Sequence, residues 1–169
     1  LLGGAGAGGA GGQHRIISDD YEMVKALHSS KQYFVITSPK LIDNPIVYAS
    51  QTFFELTGYS QDEVIGRNCR FLQGPKTDAK TVQKIRVALE KQEEVCVVLL
   101  NYTKTGNTFW NKLYISPIRA AGGDVVNFVA VQQVIDEKVA LKILELEREN
   151  EQRIKKVVNG IPPTGLALS

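Results

Sequence analysis

Cysteine and histidine are scarce, and charge of either sign is in no excess. Two cysteines, Cys69 and Cys96, are too few for a disulfide framework, which points to a reducing, intracellular setting. The two histidines, His14 and His28, lie near the N-terminus and far from either cysteine, so no zinc-ligand spacing can be assembled and no metal is assigned. Twenty basic and 18 acidic residues are spread along the chain and leave a formal charge of +2, which is no electrostatic footprint for nucleic acid or an anionic membrane. No apolar run reaches membrane length and no secretory signal is present. What the sequence does have is 43% hydrophobic residues in a length of 169, enough for one core and short for two ordinary domains.

Residues 1–17 begin LLGGAGAGGAGG and are read as a flexible leader, since glycine and alanine offer nothing to offset the entropy of ordering. Over 18–31, SDDYEMVKALHSS predicts a short flanking helix with an Asp19–Glu22 capping box and Met23, Ala26 and Leu27 on one stripe. YFVIT and PIVYAS have strand composition and a turn between them, a hairpin. Small helices are predicted at SQTFFELTG, at SQDEVIG with a Ser60–Glu63 box, and at GRNCRFLQG. A longer helix over Asp78–Lys91 has Val82, Ile85 and Leu89 as its buried edge. Three long strand patterns, EVCVVLLNYT, TFWNKLYISPI and VVNFVAVQQV, end the domain, placed at 32–135. A helix over 136–160, capped by Asp136, and a tail over 161–169 complete an α+β chain. The stripe Val139, Ile143 and Leu146 predicts that the first half of that helix docks, while the charged second half is left for a partner.

Side chains alternate between the faces of a strand. One face then holds Val95, Val97, Leu99 and Asn101; Phe109, Asn111, Leu113 and Ile115; and Val126, Phe128, Ala130 and Gln132. Three carboxamides on an otherwise apolar face must be satisfied, either by backbone and water or by a ligand rich in donors and acceptors. In GRNCRFLQG, bounded by Gly66 and by Gly74-Pro75, helical spacing puts Cys69, Leu72 and Gln73 on one face and Arg70 about a quarter-turn away. A flavin fits both observations: its pyrimidine edge meets the carboxamides, Leu72, Leu99, Leu113 and Phe128 enclose its dimethylbenzene part, and Arg70 and Arg86 reach a phosphate. Each arginine taken alone is more often a solvated surface residue, and Arg86 on its helix has the alternative of pairing with a nearby carboxylate. The opposite face, Cys96, Val98, Leu100, Tyr102, Trp110, Tyr114, Val129 and Val131, is too apolar to stand in water, so the flanking helices or a second copy must cover it.

GRNCRFLQG, with NPIVYAS upstream and NYTKTGNTFWN downstream, resembles the LOV (light, oxygen or voltage) domains, a branch of the PAS fold, over about Tyr33 to Val134. The likeness is greatest to those of algal aureochromes and plant phototropins. It implies a five-stranded antiparallel sheet with small helices closing over flavin mononucleotide (FMN), and a signalling helix behind it. It further implies that Cys69 bonds flavin carbon C4a after blue-light excitation, with Asn68, Arg70 and Gln73 around the cofactor and Arg70 and Arg86 at the phosphate. Asn101, Asn111 and Gln132 would meet the polar edge of the ring, and Gln132 would report the change at N5 to the helix that follows. Tyr33 stands where phototropins commonly have asparagine, and Ala130 where glycine is frequent.

The implied protein is a photosensor and not an enzyme, a homodimer through the outer sheet face and flanking helices, regulating an output domain of a light-dependent transcription factor or of a kinase. An aureochrome-like protein would be nuclear. No basic region precedes Ser18, so no DNA contact is expected from this segment. Two rivals are a thiol-redox flavoenzyme, which lacks a second cysteine near Cys69 and a dinucleotide fingerprint, and a PAS interaction or haem module in which Cys69 is a buried hydrophobe or an axial ligand.

Overall fold

A computed structural model describes residues 18–160, with side chains from Tyr21 to Asn159. The glycine-rich leader and the tail over 161–169 lie outside those residues, and the Asp19 side chain of the expected capping box lies outside the described side chains. The chain runs α1 (Ser18–Ser29), β1 (Tyr33–Thr37), β2 (Ile46–Ala49), α2 (Gln51–Thr57), α3 (Gln61–Val64), a 3-10 turn (Cys69–Leu72), α4 (Ala79–Lys91), β3 (Val95–Tyr102), β4 (Thr108–Arg119), β5 (Val125–Ile135) and α5 (Glu137–Gly160).

The five strands form one antiparallel sheet in the order β2-β1-β5-β4-β3, so the hairpin of β1 and β2 inserts beside the last strand rather than the next one. Register follows the alternation: Leu99 faces Asn111 across β3–β4 and Leu113 faces Gln132 across β4–β5, which brings the inner-face residues of three strands together. One member of that face is misplaced by simple alternation. Pairing shifts between Ile118↔Asn127 and Arg119↔Val125, and this bulge turns Val125 into the inner core and Val126 to the outer face.

Helices close over the inner face, and each is cut to length by its ends. Ser50 caps α2 by accepting from the Phe53 N–H, and Gly58 ends it in the left-handed conformation that glycine takes without penalty. Ser60 and Glu63 form the expected capping box of α3, and Asp78 caps α4 through the Thr81 N–H. Phe53, Val64, Leu72, Val35, Ile46, Ile115 and Phe128 pack into one core between these helices and the sheet. On α4 the fully buried residues are Thr81 and Ala88, while Val82, Ile85 and Leu89 are only half-buried. Ile85 and Leu89 pack against the edge of the core and also border a cavity.

The outer face is covered by both flanking helices. Met23, Val24 and Leu27 of α1 pack on Phe34, Ile118, Val126 and Val129. Asp136 caps α5 by accepting from the Lys138 N–H at 2.8 Å. The docking stripe of α5 is Ala140, Ile143, Leu144 and Glu147, at the i, i+3, i+4, i+7 spacing, with Ala140 fully buried where the helix comes nearest the sheet. Val139 and Leu146, expected to dock, are each 51% exposed. Farther along, Lys84 of α4 reaches Glu151 at 2.7 Å and Glu147 at 3.9 Å, tying the charged half of α5 to the domain.

Candidate functional site

Cys69 opens a 3-10 turn of only four residues. Asn68 caps the turn, its Oδ1 accepting from the Arg70 N–H at 3.0 Å, while its Nδ2 donates to the Asp43 carbonyl at 2.7 Å. The far side of the turn is held by Phe71, whose ring meets Tyr59 edge-on at 4.8 Å and lies 4.7 Å from the Arg67 guanidinium carbon. The structure corrects the expected helical geometry. In a 3-10 turn residues i and i+3 eclipse, so Leu72 lies in line with Cys69. Gln73 has extended backbone, φ −82° and ψ 153°, and reaches the same space from the end of the turn.

That space is a cavity between the turn, α4 and the inner face of the sheet. Its lining includes Asn68, Cys69, Arg70, Leu72 and Gln73 from the turn and Leu99, Asn101, Asn111, Leu113 and Gln132 from the sheet. Of the other residues singled out in the sequence, Phe128 is buried in the adjacent core and Arg86 is exposed on α4, outside the lining. Thr37, Asn44, Ile85, Leu89, Ile115 and Ala130 also border the cavity. Thr37 and Asn44 were not legible as site residues. The signal for Asn44 is the DNP tripeptide, in which Asp43 (φ 69°) and Asn44 (φ 45°) are both left-handed, a conformation asparagine and aspartate tolerate better than most residues.

The polar groups of the cavity are unequally satisfied. Asn111 Nδ2 donates to Asn101 Oδ1 at 2.9 Å, and Asn101 Nδ2 donates to the Leu72 carbonyl at 3.2 Å. Asn111 Oδ1 and Gln132 Oε1 are buried with no protein partner, as is Asn44 Oδ1. Asn111 and Gln132 are 1% and 3% exposed, so each orphan acceptor carries a desolvation cost that a ligand with facing donors removes.

Electrostatics separate the thiol from the cavity mouth. Burial pushes the Cys69 thiol up to about 12, so it is a protonated S–H at neutral pH. At the mouth, Arg70 makes a two-point contact with the Asp43 carboxylate, one arm at 2.6 Å. Hydrogen bonding to Arg70 lowers the Asp43 carboxyl, and the same bond raises the guanidinium.

Comparison with known proteins follows this geometry. The PAS domain family matches residues 32–135. The chain is 42% identical over 149 residues to phototropin-1A of Oryza sativa subsp. japonica, an alignment covering 86% of this chain and 16% of that protein. It is 49% identical over 117 residues to a blue-light-activated histidine kinase of Brucella anthropi, covering 69% of this chain and 24% of the relative. The chain thus spans 16% and 24% of the length of these two curated relatives. Among solved structures, a light-oxygen-voltage domain studied with a flavin analogue is 54% identical with a TM-score of 0.75, covering 78% of this chain and 97% of that one. The dark structure of the blue-light photoreceptor aureochrome1 LOV is 50% identical with a TM-score of 0.70, covering 83% of this chain and 99% of that one. With a five-stranded antiparallel sheet, small helices over one face and a cysteine turn on the cavity, this chain belongs to the LOV branch of the PAS domain family.

Proposed function

We propose that the chain is a blue-light sensing module that holds FMN in this cavity and uses Cys69 as its reactive group. The observation that carries the reading is the convergence of a thiol and two orphan carboxamide oxygens, Asn111 Oδ1 and Gln132 Oε1, on one cavity. The residues present fit the cofactor. Asn101, Asn111 and Gln132 offer both acceptors and donors to a pyrimidine edge, and Leu72, Leu99 and Leu113 provide apolar enclosure, while Phe128, expected beside them, packs in the adjacent core. Asn68, Gln73 and Asn44 line the cavity with Arg70, which would hold the phosphate; Arg86, expected to share it, is exposed on α4 outside the lining.

When bound, the flavin supplies a ring that becomes open to reversible attack by a thiol after absorbing blue light. Cys69 brings sulfur and proton together, since it stays protonated until about pH 12. That state suits a thiol that delivers its own proton more than it suits a free redox thiolate. Gln132 answers a changed proton beside it by rotating its amide to exchange donor for acceptor. It sits on β5, between Tyr33 of β1 and Leu113 of β4, three residues before Ile135 and the Asp136 cap of α5. A hydrogen-bond change of about 1 kcal/mol there is small for the domain and comparable to the docking balance of a terminal helix.

We read the output as altered docking of the flanking helices and of a homodimer, acting on a domain attached in the same polypeptide. A transcription-regulating domain is the assignment carried by the aureochrome likeness, and a kinase domain the alternative carried by the histidine kinase relative. Exposed Tyr114, Val139 and Leu146 leave apolar surface beside the covered part of the sheet for a second copy.

Purified protein is expected to show flavin absorption in darkness, to bleach reversibly in blue light, and to change its elution volume in size-exclusion chromatography between the two. A colourless protein after incubation with FMN, or a haem band, would end the reading. Gln132→Leu is expected to retain bleaching while the light-dependent elution shift shrinks, because leucine cannot exchange donor for acceptor. An undiminished shift would take Gln132 out of the signalling route.

A further inference from the structure

The segment that follows the cysteine turn is strapped around the outermost strand of the sheet. β3 is an edge strand, and three consecutive residues of it hold the strap. Thr77 Oγ1 donates to the Leu100 carbonyl at 2.7 Å, Asn101 Nδ2 donates to the Leu72 carbonyl at 3.2 Å, and the Tyr102 hydroxyl accepts from the Lys76 N–H at 3.0 Å. Gly74 closes the strap on itself: its N–H donates to Thr77 Oγ1 at 3.0 Å, and its carbonyl accepts from the Thr77 N–H at 3.0 Å.

Gly74 also lies flat against the Tyr102 ring. A Cβ on Gly74 would stand 2.4 Å from Tyr102 Cε2 and 2.5 Å from Cδ2, far inside any real carbon contact. The ring has little freedom to move aside, because its hydroxyl is tied to Lys76. Gly74 is outside the left-handed region, so its lack of a side chain answers a close approach and not a backbone requirement.

We propose that Gly74 and Tyr102 are positioning residues for Cys69, fixing how close the cysteine turn stands to the sheet. The turn has only four residues, so a displacement of either end is carried along its whole length. Asn68 fixes the first end to Asp43, and the strap fixes the second to β3. Lifting the strap by the missing ångström of contact therefore moves Leu72 and, one 3-10 turn earlier, Cys69. The inference rests on the cavity being the flavin site, since it concerns the placing of the thiol toward that ligand.

The test is made on the flavin-loaded chain, by bleaching yield per absorbed photon, and on the flavin-free chain, by hydrogen exchange over residues 70–78. Gly74→Ala is expected to keep its dark absorption, to lose about 10- to 100-fold in bleaching yield through misplacement of the thiol, and to exchange faster over that segment. Gly74→Ala/Tyr102→Ala is expected to bleach better than Gly74→Ala alone, because the ring that causes the clash is gone. A merely structural loss would lower thermal stability without this rescue. Parental yield in Gly74→Ala overturns the proposal. Should Gly74→Ala fail to fold, Tyr102→Phe decides: it deletes only the acceptor for the Lys76 N–H, is expected to speed exchange at Lys76 and lower the yield, and parental values of both overturn the strap. A parent chain that never bleaches instead refutes the flavin reading, while the exchange data still judge the strap.

Discussion

Cys69→Ala is expected to bind flavin and to show no reversible loss of blue absorption under illumination. The substitution deletes one sulfur from a turn held by Asn68 before it, Phe71 behind it and the strap after it, so the cavity keeps its shape. No other thiol can take over, because Cys96 is exposed on the opposite face of the sheet. The parent itself should bleach with the same yield from about pH 6 to pH 9. Burial raises the thiol to about 12, so Cys69 remains fully protonated across that window and no charge change in the reacting group enters the profile. Absorption spectra of parent and variant, before and after a blue pulse at several pH values, measure both claims. Bleaching in the alanine variant would remove Cys69 from the chemistry, and a parental yield that rose steeply between pH 7 and 9 would mean that the thiolate reacts.

Asn111→Leu is expected to weaken FMN binding by about 10- to 100-fold, corresponding to about 1–3 kcal/mol. Two losses combine. The free Asn111 Oδ1 that faces the cavity disappears, and Asn101 Oδ1 loses the 2.9 Å bond from Asn111 Nδ2 and becomes a buried orphan. The leucine fills a site that is 1% exposed, so the fold should survive and the effect should appear in the ligand titration before it appears in melting. Fluorescence titration of the flavin-free protein with FMN and with riboflavin provides the measurement. An unchanged dissociation constant would mean that the carboxamides are structural and that the ring lies elsewhere.

The sheet was legible because alternation is a rule with no free parameter: once Leu99, Asn101, Asn111, Leu113 and Gln132 occupy alternate positions, the pleat puts them on one face. The bulge at Arg119–Val125 was not, since it depends on how the short connection from Ala120 to Asp124 closes, and that reversed the face of Val126. The phase of α5 failed for another reason. Val139–Ile143–Leu146 and Ala140–Ile143–Leu144–Glu147 are both helical stripes, and the winner is set by how close the backbone can approach the sheet, where alanine outcompetes valine. A segment as short as Cys69–Leu72 does not distinguish a 3-10 turn from an α-helix by pattern. Thr37 enters the site from the end of β1, and Asn44 through a left-handed turn of the connection between β1 and β2, a conformation invisible to periodicity.

The two halves of α5 answer to different properties of the medium. Ala140, Ile143 and Leu144 hold the near half by apolar contact, which added electrolyte does not weaken. The far half is held by Lys84 to Glu147 and Glu151, with side chains 42% to 51% exposed, and such pairs fade as ionic strength rises and the screening length falls toward about 8 Å at physiological salt. The amount of helix that is already loose before any photon arrives is thus set by the surrounding ions. On the proposed reading, one protein responds to light with a small helix movement in dilute buffer and a larger one in brine, with the cavity unchanged.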